Sequence, residues 1–248
     1  MLSIKNFSKI YKGGKPAVDR LSLEVEKGDI YGFIGHNGAG KTTTLRAVAG
    51  VLDFGEGDIM IDGISIKQDP VACKKITAYI PDNPDIYEHL TGIQYLNFIG
   101  DIYSVSRQER ESLMKKYGDD FELTGNLGDL ISTYSHGMKQ KLAIISALIH
   151  SPRLLILDEP FVGLDPKAAH TLKQIMTQMC SQGCAIFFST HVLEVAEKLC
   201  NKIAIIKGGS LVACGDTASV KGNQSLEDVF LDLIEETEAG DETALDID

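Results

Sequence analysis

The sequence has no apolar run approaching the roughly 20 residues that a bilayer-spanning helix needs. Leu142–Ile149, the longest candidate, is far too short and reads as a buried helix. The N-terminus, Met1-Leu2-Ser3-Ile4-Lys5, lacks the charged start and apolar stretch of a secretory signal. The chain is therefore expected to stay in the cytoplasm, and any work at a membrane has to pass through another chain that does the spanning. A surplus of positive charge is also missing. Lys and Arg number 24 against 35 Asp and Glu, a net charge of −11, so there is no basic footprint for nucleic acid. Cysteine is sparse and unpatterned: five residues, an odd count, with no CxxC. Cys180 and Cys184 could share a helix face, but two thiols alone make a poor metal site. Reduced thiols of a cytosolic protein are expected. No internal repeat is found.

With 248 residues, 44% hydrophobic and 24% charged, the chain fits one large domain or two small lobes with a substantial core. The charge is unevenly spread. From Glu227 to Asp248 there are ten acidic residues and no Lys or Arg. The body before Glu227 is thus ten charges less negative than the whole, close to neutral.

Along the chain, Leu2–Asn6 and Ala17–Val25 read as strands around a Gly13-Gly14 turn. Asp29–Ile34 is a strand, followed by a glycine-rich turn and a helix from Lys41 to about Val51. Asp58–Ile61 and Ser65-Ile66 flank Asp62-Gly63, a strong hairpin signal. Ile76–Ile80 is a strand closed by Pro81. Between about Ile86 and His150 the pattern turns helical, with Leu96, Ile99, Ile102 and Tyr103 at helix spacing. Leu154–Leu157 and Ala185–Ser189 are continuous apolar runs, as in buried parallel strands, with helices at about Lys167–Gln182 and Val192–Leu199. Ile203–Ile206 and Leu211–Ala213 form a hairpin around Gly208-Gly209. After Ser225 an amphipathic helix is expected on Leu226, Val229, Phe230 and Leu233, and the last ten or so residues are expected to be disordered.

Two segments carry chemistry. Gly35-His36-Asn37-Gly38-Ala39-Gly40-Lys41-Thr42 is a full phosphate-binding loop, set between a strand and a helix as such a loop requires. Its glycines let backbone amides turn inward, and the helix N-terminus adds partial positive charge. Lys41 supplies a cation for the β- and γ-phosphates, and the Thr42 hydroxyl is placed for Mg²⁺. Expected nucleotide contacts are Gly35, His36, Asn37, Gly38, Ala39, Gly40, Lys41, Thr42 and Thr43, with the His36 side chain turned away from the phosphates. The second segment, Leu154–Leu157 followed by Asp158-Glu159, puts two carboxylates at the end of a buried strand, where open α/β sheets bind ligands. Because neighbours on a strand point to opposite sides, the two are given different tasks. Asp158 would hold Mg²⁺, and Glu159 would deprotonate the attacking water.

The remaining motifs resemble those of ABC-transporter ATPases. Tyr134-Ser135-His136-Gly137-Met138-Lys139-Gln140 resembles the signature motif, Gly163-Leu164-Asp165-Pro166 the D-loop, His191 the switch histidine, and Tyr11 the aromatic that stacks on adenine. The likeness covers about residues 1–222. The signature's form, Tyr79-Ile80-Pro81 and the ending Ser225-Leu226-Glu227-Asp228-Val229-Phe230 resemble the bacitracin-export and lantibiotic-immunity branch and its Ecs-type relatives. The resemblance implies an α/β fold: a P-loop NTPase (RecA-like) core, an N-terminal antiparallel β subdomain, a helical subdomain inserted at about 86–150, and an acidic tail over 223–248. It implies ATP and Mg²⁺ as cofactors and a head-to-tail dimer, with a second copy or a paralogous ATPase. Ser135 and Gly137 of one chain would then reach the γ-phosphate on the other, His191 would bond that phosphate, and Asp165 would carry signals across the dimer.

Two positions depart from the family pattern. His136 stands where the signature usually has a second Gly. Asp82 stands where a Gln usually follows the strand ending at Ile80, and a carboxylate there could still bind Mg²⁺ or water. Lys139 and Lys141 read as the solvated face of the signature helix. The expectation is an ATP-hydrolysing subunit, with Glu159, His191 and Lys41 as catalytic residues. It would power transport, in the export sense usual for the branch, through a separate permease at the inner face of the membrane. The rivals are a soluble ABC ATPase acting on a non-membrane partner and a binding-only regulator, the latter disfavoured by an intact Glu159 and His191. A GTPase would want Asn-Lys-x-Asp, and Asn201-Lys202-Ile203-Ala204 lacks the Asp.

Overall fold

The computed structural model describes residues 1–233. The disorder expected at the end of the acidic tail concerns 234–248, outside the described residues. In chain order the first half comprises β1 (Leu2–Ile10), β2 (Pro16–Val25), β3 (Ile30–Ile34), α1 (Lys41–Val48), β4 (Glu56–Ile61), β5 (Ile64–Ser65), α2 (Pro70–Lys75) and β6 (Thr77–Ile80). Then come α3 (Gly92–Ile102), α4 (Arg107–Asp120), α5 (His136–Leu148), β7 (Leu154–Asp158), α6 (Pro166–Ser181), β8 (Ala185–Thr190), α7 (Leu193–Leu199), β9 (Lys202–Lys207), β10 (Ser210–Asp216) and α8 (Thr217–Lys221). The chain is helical again over 226–233.

β2-β1-β4-β5 make an antiparallel sheet, and β10-β9-β3-β8-β7-β6 a mixed one whose five inner-to-edge strands from β9 to β6 are parallel. The parallel strands are apolar throughout because both faces are covered. On β7 and β8, Leu155, Leu157, Ile186 and Phe188 face a core shared with α5, α6 and α7. Their neighbours Leu154, Ile156, Ala185 and Phe187 face a second core, closed by the antiparallel sheet and by Leu45 and Val48 of α1. Phe187 is fully buried between Tyr31 and Phe33, with ring centroids 5.9 and 5.3 Å away. Truncating such a ring to Ala costs about 3–5 kcal/mol.

Local signals decide the ends of elements. Asp62 (φ 50°) and Gly63 (φ 83°) form the turn that pairs Ile61 with Ile64, as the hairpin signal required. Thr91 and Gln94 make a reciprocal capping box at the start of α3. α2 and α8 were not anticipated. Each is too short for a hydrophobic period, although Asp69 before Pro70 is a readable helix start, its carboxylate accepting from the Ala72 amide (2.9 Å). α3 and α4 stand off the sheet between β6 and β7. α5 runs back under it, its Leu142, Ile145 and Leu148 in one core with Leu155 and Leu157. Among the described residues, no helix is long and apolar enough to cross a membrane.

Candidate active site

The carboxyl ends of β3, β6 and β7 converge on one cavity of about 200 Å³. Its lining comes from the phosphate loop (His36, Asn37, Gly38, Gly40, Lys41, Thr42, Thr43) together with Ala17, Asp82, Asp158 and Glu159. Two glycines there answer to close packing: a Cβ on Gly35 would lie 2.5 Å from the Ile206 carbonyl oxygen, and one on Gly40 (φ 108°) 2.5 Å from that of Ala17. Ala39, under the loop, is buried. Lys41, 6% exposed, rests on the loop's own carbonyl oxygens, donating to Gly35 (2.5 Å) and His36 (3.2 Å). Its Nζ is 3.6 Å from Glu159 Oε1. The His36 imidazole points out of the loop and packs against Phe230, ring centroids 5.0 Å apart.

Asp158 and Glu159 do not separate as neighbours on a strand should. β7 ends at Asp158, and Glu159 takes a left-handed backbone (φ 48°). Both carboxylates therefore reach the same cavity. The side-chain alternation assumed from the sequence ends with the strand. Asp158 is 1% exposed; its Oδ1 accepts from Ser189 Oγ (2.5 Å), and its Oδ2 is buried without a hydrogen-bond partner. Burial raises its pKa, and the Ser189 and Thr42 hydroxyls only partly offset this. Ser189 also accepts from the Glu159 amide (3.1 Å). Glu159 Oε2 lies 3.0 Å from His191 Nδ1, at the end of β8, while Oε1 has no hydrogen-bond partner.

Ser189 is the functional neighbour that sequence reasoning missed. Strand register puts it directly opposite Asp158, and no local motif marks it.

A buried carboxylate with one free oxygen beside a hydroxyl is a donor set suited to Mg²⁺, which takes one or two carboxylates and fills its shell with substrate phosphates and water. Asp158, Thr42 and Asp82 all line the cavity. Among the described residues, no cluster of three or more His, Cys, Asp or Glu could hold a metal alone. The fit thus depends on a phosphate ligand completing it.

Tyr11 is 46% exposed, and its hydroxyl is 3.4 Å from Thr43 Oγ1, so the ring stands at the edge of the loop. Ser135, Gly137 and Asp165 do not line the cavity. They form a separate cluster. Ser135 Oγ caps α5 by accepting from the Met138 amide (3.3 Å), and a Cβ on Gly137 would lie 3.0 Å from the Gly163 carbonyl oxygen. Asp165 caps α6 through Oδ1 (Ala168 amide, 2.8 Å) and pairs through Oδ2 with Lys141 Nζ (2.7 Å). The hydrogen bond from Lys141 holds the Asp165 carboxyl below its ordinary pKa. Lys141 and Lys139 are therefore not a free solvated face. The Lys141 side chain is 15% exposed, and Lys139 pairs with Glu88 of the segment before α3. Helix spacing could not reveal partners that lie across the fold.

Comparison with known proteins agrees with this geometry. Residues 18–162 match the family model described as ABC transporter. The chain is 33% identical over 247 residues to the ABC-type transporter ATP-binding protein EcsA of Bacillus subtilis (strain 168), covering 98% of this chain and 99% of that one. Among solved structures, an ATP-binding subunit of an ABC transporter superposes with a TM-score of 0.90 at 32% identity, over 94% of this chain and 99% of that one. A dimeric ATP-binding cassette in a post-hydrolysis state, bound to ADP and Pi, shares the fold with a TM-score of 0.80 at 23% identity, over 88% and 99%.

Proposed function

The chain belongs to the ABC transporter family as an ATP-binding subunit and an ATPase, and from that premise we propose that it powers export through a separate membrane permease. Tyr11 stacks on the adenine. The loop amides of Gly35–Thr43 and the N-terminus of α1 receive the phosphates. Lys41 leaves the Gly35 and His36 carbonyls for the β- and γ-phosphates. Asp158, Thr42 and Asp82 would hold Mg²⁺, which would supply neutralisation of phosphate charge there. Glu159 takes a proton from the attacking water as its oxygen bonds to the γ-phosphorus and the bond to ADP breaks. His191, 3.0 Å from Glu159, orients that water and the γ-phosphate.

Asp158-Glu159 is the observation that carries this reading: two carboxylates facing one cavity, each with an oxygen left without a hydrogen bond. Buried polar atoms are rarely left so unless a ligand completes them. Ser135 and Gly137 lie outside that cavity, which supports a dimer in which a second copy brings them to the γ-phosphate. A dimer is also the form described for the post-hydrolysis cassette of like fold.

Docking to the permease is supported by an apolar surface on α3 and the segment before it. Tyr87, Phe98 and Ile102 are all exposed, and Tyr87 and Phe98 meet edge to face at 5.6 Å. Contiguous exposed apolar side chains mark interaction sites. Seated there, the chain would lie at the cytoplasmic face of the membrane. The export sense rests on the motif forms shared with the bacitracin-export branch.

Phosphate release under Mg²⁺ and ATP tests the chemistry. Glu159→Gln should keep ATP and lose turnover, and normal turnover in that variant would remove Glu159 as the base. Affinity purification from the native host tests the coupling. An integral membrane protein is expected with the chain, and its replacement by a soluble partner would overturn the permease assignment.

A further inference from the structure

The C-terminal part of the described chain ends on the phosphate loop. In the helix over 226–233, Leu226 is fully buried and Phe230 is 8% exposed. Both belong to the core that includes Ala196 of α7. Glu197 of α7 fixes the start of this helix. Its Oε2 accepts from the Leu226 amide (3.0 Å), and its Oε1 from Lys221 Nζ (2.7 Å). Four residues on from Leu226, the Phe230 ring meets the His36 imidazole at an interplanar angle of 55°. α7 begins two residues after His191. The helix thus bridges the segment behind His191 and the first variable residue of the phosphate loop.

His36 matters to the loop through its backbone. Its carbonyl oxygen accepts from the Ala39 amide (3.2 Å), which closes the turn, and from Lys41 Nζ (3.2 Å). The same peptide therefore shapes the loop and holds the cation that phosphate has to capture. The imidazole is exposed apart from its contact with Phe230. Without that ring, the His36 side chain would lose a packing restraint that adds to the two hydrogen bonds on its carbonyl, and the loop would enter binding less ordered.

We infer that Phe230 is a positioning residue for nucleotide binding, acting through His36 to pre-organise the phosphate loop. This rests on the reading that the loop holds the phosphates of ATP. The segment Ser225–Phe230 then has a task in the site as well as in the core.

The test is a double-mutant cycle on the full chain, read as the Kd of a fluorescent trinitrophenyl-ATP. Phe230→Leu keeps apolar volume in the core and removes the ring, and His36→Ala removes the other partner. Each is expected to weaken binding about three- to tenfold, as the loss of one aromatic contact implies. The double variant should be no weaker than the worse single, and kcat of the Phe230→Leu chain at saturating ATP should stay within about twofold, since that change affects only loop order before binding. Two results would overturn the inference: losses that multiply in the double variant, or a Phe230→Leu chain that melts earlier yet binds ATP as before. Lys41→Ala separates the two levels. If it binds nucleotide normally, the phosphate-loop reading fails. If it loses binding while Phe230→Leu does not, only the positioning role fails.

Discussion

Two buried aspartates stand at opposite ends of the mixed sheet. Asp29, 5% exposed, precedes β3 at the amino end, and both its oxygens are partnered. Oδ1 accepts from Asn201 Nδ2 (2.8 Å), and Oδ2 accepts from the Glu26 amide (2.8 Å) and pairs with Lys202 Nζ (3.2 Å). Asp158, 1% exposed, closes β7 at the carboxyl end with one oxygen held by Ser189 and the other unmatched. A satisfied buried carboxylate ties strands together. An unsatisfied one costs stability until a ligand arrives. The amino end of this sheet is built for the fold, and the carboxyl end for chemistry.

The largest effect expected from breaking this contrast is at Asp158. Asp158→Asn should lower steady-state ATPase activity by about 10³-fold or more, the scale of losing a transition-state electrostatic contact. The same change should raise the melting temperature of the nucleotide-free chain. The sign follows from the raised pKa of Asp158: its contribution to stability is fully present at low pH and is lost as pH rises through the folded-state pKa. The gain from Asn should therefore appear at neutral pH and vanish in acid. A scan of melting temperature against pH checks both ends.

Asp29→Ala should act the other way, costing about 1–3 kcal/mol in urea unfolding because the Asn201 side chain and the Glu26 amide lose their buried acceptor. ATP affinity of the folded fraction should be unchanged. A selective loss of ATP binding would erase the distinction between the two ends of the sheet.

A third, intermediate effect belongs to His150, also at the amino end. It stacks on Tyr103 with centroids 3.6 Å apart, and its Nε2 is 3.3 Å from the Thr77 carbonyl oxygen. Burial depresses its pKa from 6.5 to about 4. The unfolded chain thus takes up a proton that the folded chain refuses. Stability should be complete above pH 6.5 and fall by about 2–3 kcal/mol as pH drops towards 4. Denaturant midpoints of His150→Gln across that window should show a flatter profile.

Ser189→Ala should give the smallest change. It removes a donor to Asp158 and an acceptor from the Glu159 amide, so kcat should fall about tenfold, as for a hydrogen bond to a charged group. Folding stability should fall by about 1–2 kcal/mol, because the buried Asp158 carboxylate and the Glu159 amide lose their partner. An activity equal to that of the unsubstituted chain would mean that the carboxylates are held by the backbone alone.

Much of this contrast could be read in advance, and some could not. The phosphate loop, the Asp158-Glu159 strand end and the Asp62-Gly63 hairpin depend on residues within a turn of one another. The alternation argument failed at Glu159 because it assumed that the strand continued. Lys141 was misjudged because its partner, Asp165, begins a different helix.

The sequence alone determined where phosphate-binding amides cluster, which runs are buried on both faces, and which carboxylates follow a strand. Those properties depend on backbone geometry over a few residues, and spacing specifies them. Tertiary structure alone decided that Ser189 faces Asp158, that His191 reaches Glu159, and that Phe230 rests on His36. Such contacts join residues far apart in the chain, and they follow from a strand order chosen by burying apolar side chains on two faces at once, which no short stretch of sequence encodes.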